Sequence, residues 1–224
     1  MEADQRSLPA RPVRLRWALW ALVALVGVGA GIAVIVLRSS SPAEPAGAVV
    51  GGPAATWAAG VRRAPAFQLL DQNGLAVSPA AHRGRPLIVT FIDPLCRNFC
   101  PLEAQRLDAA VRQLPAAQRP AILAVSVNVF GNARTNLVQD VQKWRLVPEW
   151  RWAVGTPPTL ARVWQSYGVG VLVTTKKVAG VTVHEITHTE AAYVVDGSGY
   201  ERALFVWPFT TADVEQSLRT LATG

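Results

Sequence analysis

Cysteine is scarce in this chain. Only two of its 224 residues are cysteines, Cys96 and Cys100, and they lie four positions apart. Such a pair is a poor framework for holding a fold together, because closing a loop of about five residues restricts the unfolded chain by only ~2 kcal/mol. The short spacing therefore indicates chemistry, either redox or metal binding, with a passive disulfide as the alternative.

Charged residues are also few, at 17% of the chain, and no run of basic residues is interleaved with aromatic ones. The formal net charge is +7, of which residues 1–40 contribute +3, from five arginines against Glu2 and Asp4. Nucleic-acid-binding proteins concentrate Lys and Arg in a patch or stripe, so the sequence argues against nucleic acid as a partner. No internal repeat is visible, and the length suits one anchor and one compact domain.

One long apolar run is present near the N-terminus. Residues 17–37 carry no charge, and 21 residues at 1.5 Å rise can cross a hydrocarbon core about 30 Å thick. Three arginines closely precede the run, whereas Arg38 alone follows it at once. The positive-inside rule then predicts a single-pass protein of the cell membrane, with a cytoplasmic N-terminus and an extracytoplasmic C-terminal domain. A cleaved signal peptide is the alternative, although its apolar core is normally shorter.

The chain divides accordingly into four parts. Residues 1–16 are predicted to be a cytoplasmic tail, residues 17–37 a transmembrane helix, residues 38–61 a flexible linker and residues 62–224 a folded domain. The linker is rich in Ser, Pro, Ala and Gly, and such a segment buries too little apolar surface to fold alone. Whether the anchor is kept or cleaved, the domain faces an oxidising compartment, where disulfides persist.

Within the domain, apolar runs alternate with helical spacings. Residues 86–92 and 121–127 are continuous apolar runs typical of strands that are buried on both faces. Residues 101–114 have the spacing of an amphipathic helix. Further strands are predicted over 66–70, 75–78, 169–173, 181–184, 191–195 and 201–206, and further helices over 134–144, 159–167 and 211–221. Lys176 and Lys177 are predicted to form a turn. The order predicts an α/β fold with a mixed central sheet flanked by helices.

The two cysteines fall at a strand-to-helix corner of this predicted fold. Cys96 follows the strand over 86–92, and Cys100 lies at the start of the next helix, beside Pro101. Open α/β sheets bind ligands at such corners. The helix N-terminus stabilises a thiolate and lowers its pKa. Positions i and i+4 share one face of a helix, so both sulfurs can reach one ligand or bond to each other.

A metal at this corner needs a third ligand. Two thiolates favour Cu(I) or Zn(II), but they are too few for a closed tetrahedral site. Imidazole is the natural addition, and the chain has three histidines, His82, His184 and His188. His82 lies in a segment whose residues are typical of the protein surface. Periodicity alone does not choose between His184 and His188.

The sequence around these residues resembles the Sco/SenC family. The segment VTFIDPLCRNFCP is similar to that family's apolar strand followed by Cys-x3-Cys-Pro. Downstream, His188 followed by Thr189, with Tyr193 five residues after His188 and an Asp-Gly turn at 196–197, resembles the family's His-containing strand. The resemblance covers roughly residues 62–222.

The resemblance implies a thioredoxin-like fold and copper, as Cu(I) or Cu(II), bound by Cys96, Cys100 and His188. It implies delivery of copper to the CuA site of cytochrome c oxidase subunit II, or reduction of the cysteines of that site; another copper or thiol protein is the alternative partner. A metallochaperone rather than an enzyme is therefore the leading interpretation. Family members commonly have Asp between the cysteines, whereas this loop reads Arg97-Asn98-Phe99. The extra positive charge is expected to stabilise thiolates.

Two other functions stay open. One is thiol–disulfide exchange on extracytoplasmic cysteine pairs, with Cys96 and Cys100 forming a redox-active disulfide in which Cys96 attacks and Cys100 resolves. The other is a non-catalytic anchored copper sensor or scaffold. In the scaffold case Trp144, Trp150, Trp152 and residues 206–209 would form a partner surface, unless these aromatics belong to the core.

Overall fold

The computed structural model describes residues 51–222 of the chain. The predicted cytoplasmic tail, the predicted transmembrane helix and most of the predicted linker lie outside these residues. Among residues 51–222, no helix combines the length and the apolar character needed to cross a membrane.

Within residues 51–222 the chain forms ten strands and four α-helices. In chain order they are β1 (Ala55–Thr56), β2 (Leu69–Leu70), β3 (Ala76–Val77), β4 (Leu87–Ile92), α1 (Phe99–Arg112), β5 (Ala121–Ser126), α2 (Arg134–Lys143), β6 (Trp150–Ala153), α3 (Pro157–Ser166), β7 (Val171–Val178), β8 (Val181–His188), β9 (Ala191–Val195), β10 (Glu201–Val206) and α4 (Thr211–Ala222).

Six of these strands form the central sheet, in the order β1-β10-β9-β4-β5-β6. Strand β4 pairs in parallel with β5, and β5 in parallel with β6. Strand β9 runs antiparallel to both β4 and β10. The predicted mixed central sheet is therefore confirmed, and β4 lies near its middle.

Helices cover both faces of this sheet because its central strands are apolar on both sides. Every residue of β4 is buried. Ile88 and Ile92 pack into one core cluster, and Val89 and Phe91 pack into the other, as expected for side chains that alternate along a strand. Helices α1, α2 and α4 add to the first cluster and α3 to the second, through Leu107, Leu137, Leu218 and Leu160 respectively.

The β7–β8 hairpin differs from its prediction. Both strands are longer than expected, and Lys176 and Lys177 lie inside β7, paired with β8, instead of forming a turn. The turn is Ala179-Gly180, where both residues have positive φ, 49° and 82°, as a tight two-residue hairpin requires. Most of the hairpin is exposed on both faces, so no buried period marks where each strand ends.

The aromatic residues considered as a partner surface belong largely to the core. Trp144, Trp150 and Trp152 are 6%, 0% and 0% exposed, and Phe209 is 1% exposed. The rings of Trp150 and Trp152 meet edge to face, with centroids 6.0 Å apart. These two residues lie within the alternating strand β6, which was not predicted from the sequence. They therefore stabilise the domain and do not offer a scaffold surface.

Candidate metal and thiol site

The connection between β4 and α1 carries Cys96 and is fixed by a buried carboxylate. Asp93 is 8% exposed, and its Oδ1 accepts the backbone N–H of Leu95 at 2.7 Å and Nδ2 of Asn128 at 2.9 Å. The backbone N–H of Cys96 donates to the carbonyl of Asp93 at 3.1 Å. Because Asn128 is a neutral donor, it satisfies Asp93 without adding a second negative charge near the sulfurs.

Helix α1 begins two residues earlier than predicted, so Cys100 lies in its first turn. Asn98 caps the helix by accepting the N–H of Phe99 on its Oδ1 at 2.9 Å. A protonated Cys96 thiol can donate to the same oxygen at 2.8 Å. Cys100 is buried, at 1% exposure, whereas Cys96 is partly exposed, and both are free cysteines. The cysteine that solvent reaches is therefore Cys96.

The two cysteines shift each other's pKa in opposite directions. A hydrogen bond from the Cys100 thiol is the main factor that lowers the pKa of Cys96 to about 6, against the opposing effect of partial burial. The backbone N–H of Cys100 also donates to Cys96 Sγ, at 3.4 Å. The same thiol hydrogen bond, together with burial, raises the pKa of Cys100. At neutral pH the pair therefore holds a thiolate at Cys96 and a thiol at Cys100.

His188 ends β8 with one ring nitrogen beside Cys100. Its Nε2 lies 3.7 Å from Cys100 Sγ, and its Nδ1 lies 3.1 Å from the carbonyl oxygen of Thr189. A carbonyl oxygen only accepts hydrogen bonds, so Nδ1 carries a proton; when the ring is neutral, Nε2 therefore faces the sulfur with its lone pair. The neutral imidazole is thus oriented to bind a metal or to accept a proton from the thiol.

The other two histidines lie elsewhere. His184 stacks on Phe130, with ring centroids 3.8 Å apart and planes 3° from parallel, and its Nδ1 is 3.0 Å from Oγ1 of Thr175. His82 ends a short 3-10 turn, and its pKa is lowered by burial and by two nearby arginines. Of the three histidines, the structure brings only His188 to the cysteines.

Glu190 is a member of the site that sequence reasoning missed. One ligand atom each from Cys100, His188 and Glu190 lie within 4.8 Å of one another. Cys96 is not in this set, although its sulfur adjoins Cys100. Burial raises the pKa of the Glu190 carboxyl, and His188 opposes that shift. Glu190 lies in the two-residue connection between β8 and β9, and no hydrophobic period or motif in the sequence marks such a position.

A second carboxyl lies beneath the cysteines. Glu103 on α1 is fully buried, and its Oε1 accepts the hydroxyl of Thr90 at 2.7 Å. Its Oε2 has no hydrogen-bond partner among the described residues. Burial raises the pKa of Glu103 to about 8, with the Thr90 hydrogen bond opposing the shift. The carboxyl is therefore mostly protonated at neutral pH.

The guanidinium of Arg97 is turned to the backbone and to α2. Its Nη1 donates to the carbonyls of Pro94 at 3.0 Å and Cys96 at 2.9 Å, and it lies 3.7 Å from Oδ1 of Asp140. Asp140 offsets much of the positive charge that the sequence suggested for the loop. The thiolate of Cys96 is instead stabilised mainly by hydrogen bonds.

Residues 58–223 match the family model described as SCO1/SenC. The chain belongs to the SCO1/SenC family. No curated protein sequence matches this SCO1/SenC protein. It has the thioredoxin-like fold of solved Sco structures, with a central sheet and flanking helices, as the resemblance implied.

Three solved structures illustrate the likeness. ScoI of Bradyrhizobium japonicum with copper bound has 23% identity and a TM-score of 0.61, covering 70% of this chain and 98% of that one. Yeast Sco1 with copper bound has 16% identity and a TM-score of 0.62, covering 73% and 90%. BsSco, described as having a disulfide switch and as a member of the Sco family of cytochrome c oxidase assembly proteins, has 18% identity and a TM-score of 0.56, covering 72% and 94%.

Proposed function

We propose that this SCO1/SenC protein carries copper on Cys96, Cys100 and His188 and delivers it to, or maintains, the CuA site of cytochrome c oxidase. The observation that carries the proposal is the approach of His188 Nε2 to Cys100 Sγ at 3.7 Å, beside the low-pKa sulfur of Cys96. Relatives of the same fold have been solved with copper bound, and the family includes cytochrome c oxidase assembly proteins.

The donor set suits copper. Two thiolates and one imidazole are soft or borderline ligands, which favour Cu(I), and hard cations such as Mg²⁺ prefer oxygen. Cys96 is already ionised near neutral pH, so it can bind without losing a proton at that moment. Cys100 must lose its proton, and the lone pair on His188 Nε2 faces that thiol.

The partly exposed Cys96 suits transfer of the metal to another protein. Leu95, Phe99 and Leu102 surround the cysteine in sequence and are 39%, 51% and 49% exposed. An incoming thiolate can reach the metal from this side and replace Cys96, while Cys100 and His188 still hold the copper. Apolar side chains beside the exchanging ligand are typical of surfaces that contact a partner.

Copper transfer can be measured directly. The full chain, purified in detergent and loaded with Cu(I), is mixed with the metal-free, reduced CuA domain of cytochrome c oxidase subunit II, and the copper on each protein is measured after separation. We expect copper to move to the CuA domain at a rate above that of free Cu(I) held by a small-molecule chelator of matched affinity. A rate equal to that of the chelator would reject delivery to this target.

Thiol–disulfide exchange is the second candidate, favoured by the partly exposed Cys96 with its pKa of about 6. In this reaction the Cys96 thiolate attacks a target disulfide and forms a mixed disulfide, releasing one target thiolate. Cys100, after losing its proton to His188, then displaces the second target thiolate and forms the Cys96–Cys100 disulfide. Stopped-flow reduction of an oxidised CuA-domain disulfide tests it, and a rate no faster than glutathione at the same pH would reject it.

Membrane anchoring through residues 17–37 is part of the proposal. It is supported by the uncharged length of this run and by the arginines that precede it. Reporter fusions to the C-terminus test both points. An extracytoplasmic reporter should be active and should stay with the membrane after alkaline extraction, whereas release into the soluble fraction would favour a cleaved signal peptide.

A further inference from the structure

Glu190 brings a carboxylate to the space between Cys100 and His188. The ligand atoms of these three residues lie within 4.8 Å of one another, and this is the one such group of His, Cys, Asp and Glu residues found within residues 51–222. The copper site proposed above consists of the two cysteines and His188, and it gives this carboxylate no role. The question is whether it acts as a ligand or only as a neighbouring charge.

The backbone on both sides of Glu190 is fixed. Its carbonyl accepts the N–H of Trp207 at 3.0 Å, and β9 begins at the next residue, Ala191, which is 1% exposed. Two residues earlier, His188 ends β8. The half-buried carboxylate itself has no hydrogen bond or ion pair with any residue in the described part of the chain. It is therefore held at the site with its oxygens uncommitted, as a ligand would be.

The chemistry of a carboxylate separates the two oxidation states of copper. Two thiolates and an imidazole satisfy Cu(I), which is soft and does not require a fourth ligand. Cu(II) favours tetragonal sites with N and O donors. We infer that Glu190 is the fourth ligand in the Cu(II) state and strengthens the binding of Cu(II) more than that of Cu(I). The inference rests on the proposed copper site and names a further ligand there.

Affinities for both oxidation states test this ligand. The full chain in detergent is titrated with Cu(I) and with Cu(II) against competing chelators, and the Cu(II) form is examined by electron paramagnetic resonance. Glu190→Gln and Glu190→Ala are compared with Glu185→Gln, which removes an exposed carboxylate whose one ion pair among residues 51–222 is with Lys176, across the β7–β8 hairpin. The control therefore changes the charge by the same amount, three residues before His188, without touching the site.

We expect both Glu190 variants to bind Cu(II) about 10–100-fold more weakly, the range found when a group that supports a metal site is removed, and to show altered copper hyperfine splitting. Their Cu(I) affinity should change by less than about threefold, and this retained binding also shows that the site is folded. Glu185→Gln should match the wild type in all three measurements.

Two results would overturn the inference while leaving the proposed function intact. One is a Cu(II) affinity and spectrum of Glu190→Gln that equal those of the wild type. The other is an equal loss of Cu(I) and Cu(II) affinity, which would mean that Glu190 only supports the fold or the charge of the site. If the wild-type chain bound neither ion, the proposed copper site would itself fail and the inference with it.

Discussion

Replacing Cys100 with alanine removes the thiol that donates to Cys96, so the pKa of Cys96 should rise from about 6 towards its ordinary value of 9.0. At pH 7 a thiol with a pKa of about 6 is about 90% ionised, and one with a pKa of 9.0 is about 1% ionised. Cys100→Ser is the matched control, because its hydroxyl can still donate to the thiolate, and it should keep a low pKa.

The reaction rate at one pH is a weak measure of this change. The rate constant of a thiolate falls with its pKa, with a Brønsted slope of about 0.4–0.5, so three pKa units make the more acidic thiolate about 15–30-fold less nucleophilic. The roughly ninetyfold advantage in ionised fraction therefore shrinks to about three- to sixfold at pH 7. Above pH 9 Cys96 is ionised in both proteins, so the alanine variant should react faster than the wild type.

The assay is accordingly a pH profile of iodoacetamide alkylation from pH 5 to 10, followed by mass spectrometry. The chain has only two cysteines, and Cys100 is buried, so a single added group reports Cys96. We expect midpoints near 6 for the wild type, near 9 for Cys100→Ala and a low value for Cys100→Ser. A midpoint near 6 in Cys100→Ala would refute the reasoning, because the helix N-terminus and backbone N–H groups would then suffice.

Two further predictions concern stability, measured by tryptophan fluorescence during denaturant unfolding. Folding raises the pKa of Glu103 from 4.5 to about 8, so the contribution of Glu103 to the free energy of unfolding is fully present below pH 4.5 and is lost as the pH rises through about 8. Glu103→Gln should remove this pH dependence. If the free energy of unfolding changed between pH 5 and pH 8 by the same amount in Glu103→Gln as in the wild type, the prediction would be contradicted. A Cβ at Gly131 would lie 2.6 Å from Cγ of Pro94, so Gly131→Ala should destabilise the protein by about 1–3 kcal/mol. Gly170→Ala meets only an ordinary 3.6 Å contact and is the control; equal effects of the two changes would contradict the crowding argument.

The sequence was most informative where burial imposes a pattern. The strand-to-helix corner, with Cys96 and Cys100, could be predicted from the apolar run that forms β4 and from the position of Pro101. His188 could not be chosen over His184 from periodicity, because the two histidines lie on the same side of an exposed strand. They differ only in the residues that each of them contacts. The family pattern alone distinguished them.

Features fixed by tertiary contacts were beyond sequence reasoning. The carboxylate of Glu190 reaches the site because Glu190 lies in the short connection between β8 and β9, two residues after His188, and no local pattern encodes that placement. The guanidinium of Arg97 turns towards Asp140, 43 positions away in the chain, so its effect on the sulfurs could not be judged from its place between the cysteines.

Cu(I) binding by the His188→Ala variant tests the central claim most directly. The full chain in detergent is titrated with Cu(I) against a competing chelator, beside His184→Ala, which removes the neighbouring imidazole that stacks on Phe130. We expect one Cu(I) per wild-type chain, a loss of affinity of about tenfold or more in His188→Ala and wild-type affinity in His184→Ala. An unchanged affinity in His188→Ala would contradict a copper site built from two thiolates and this imidazole.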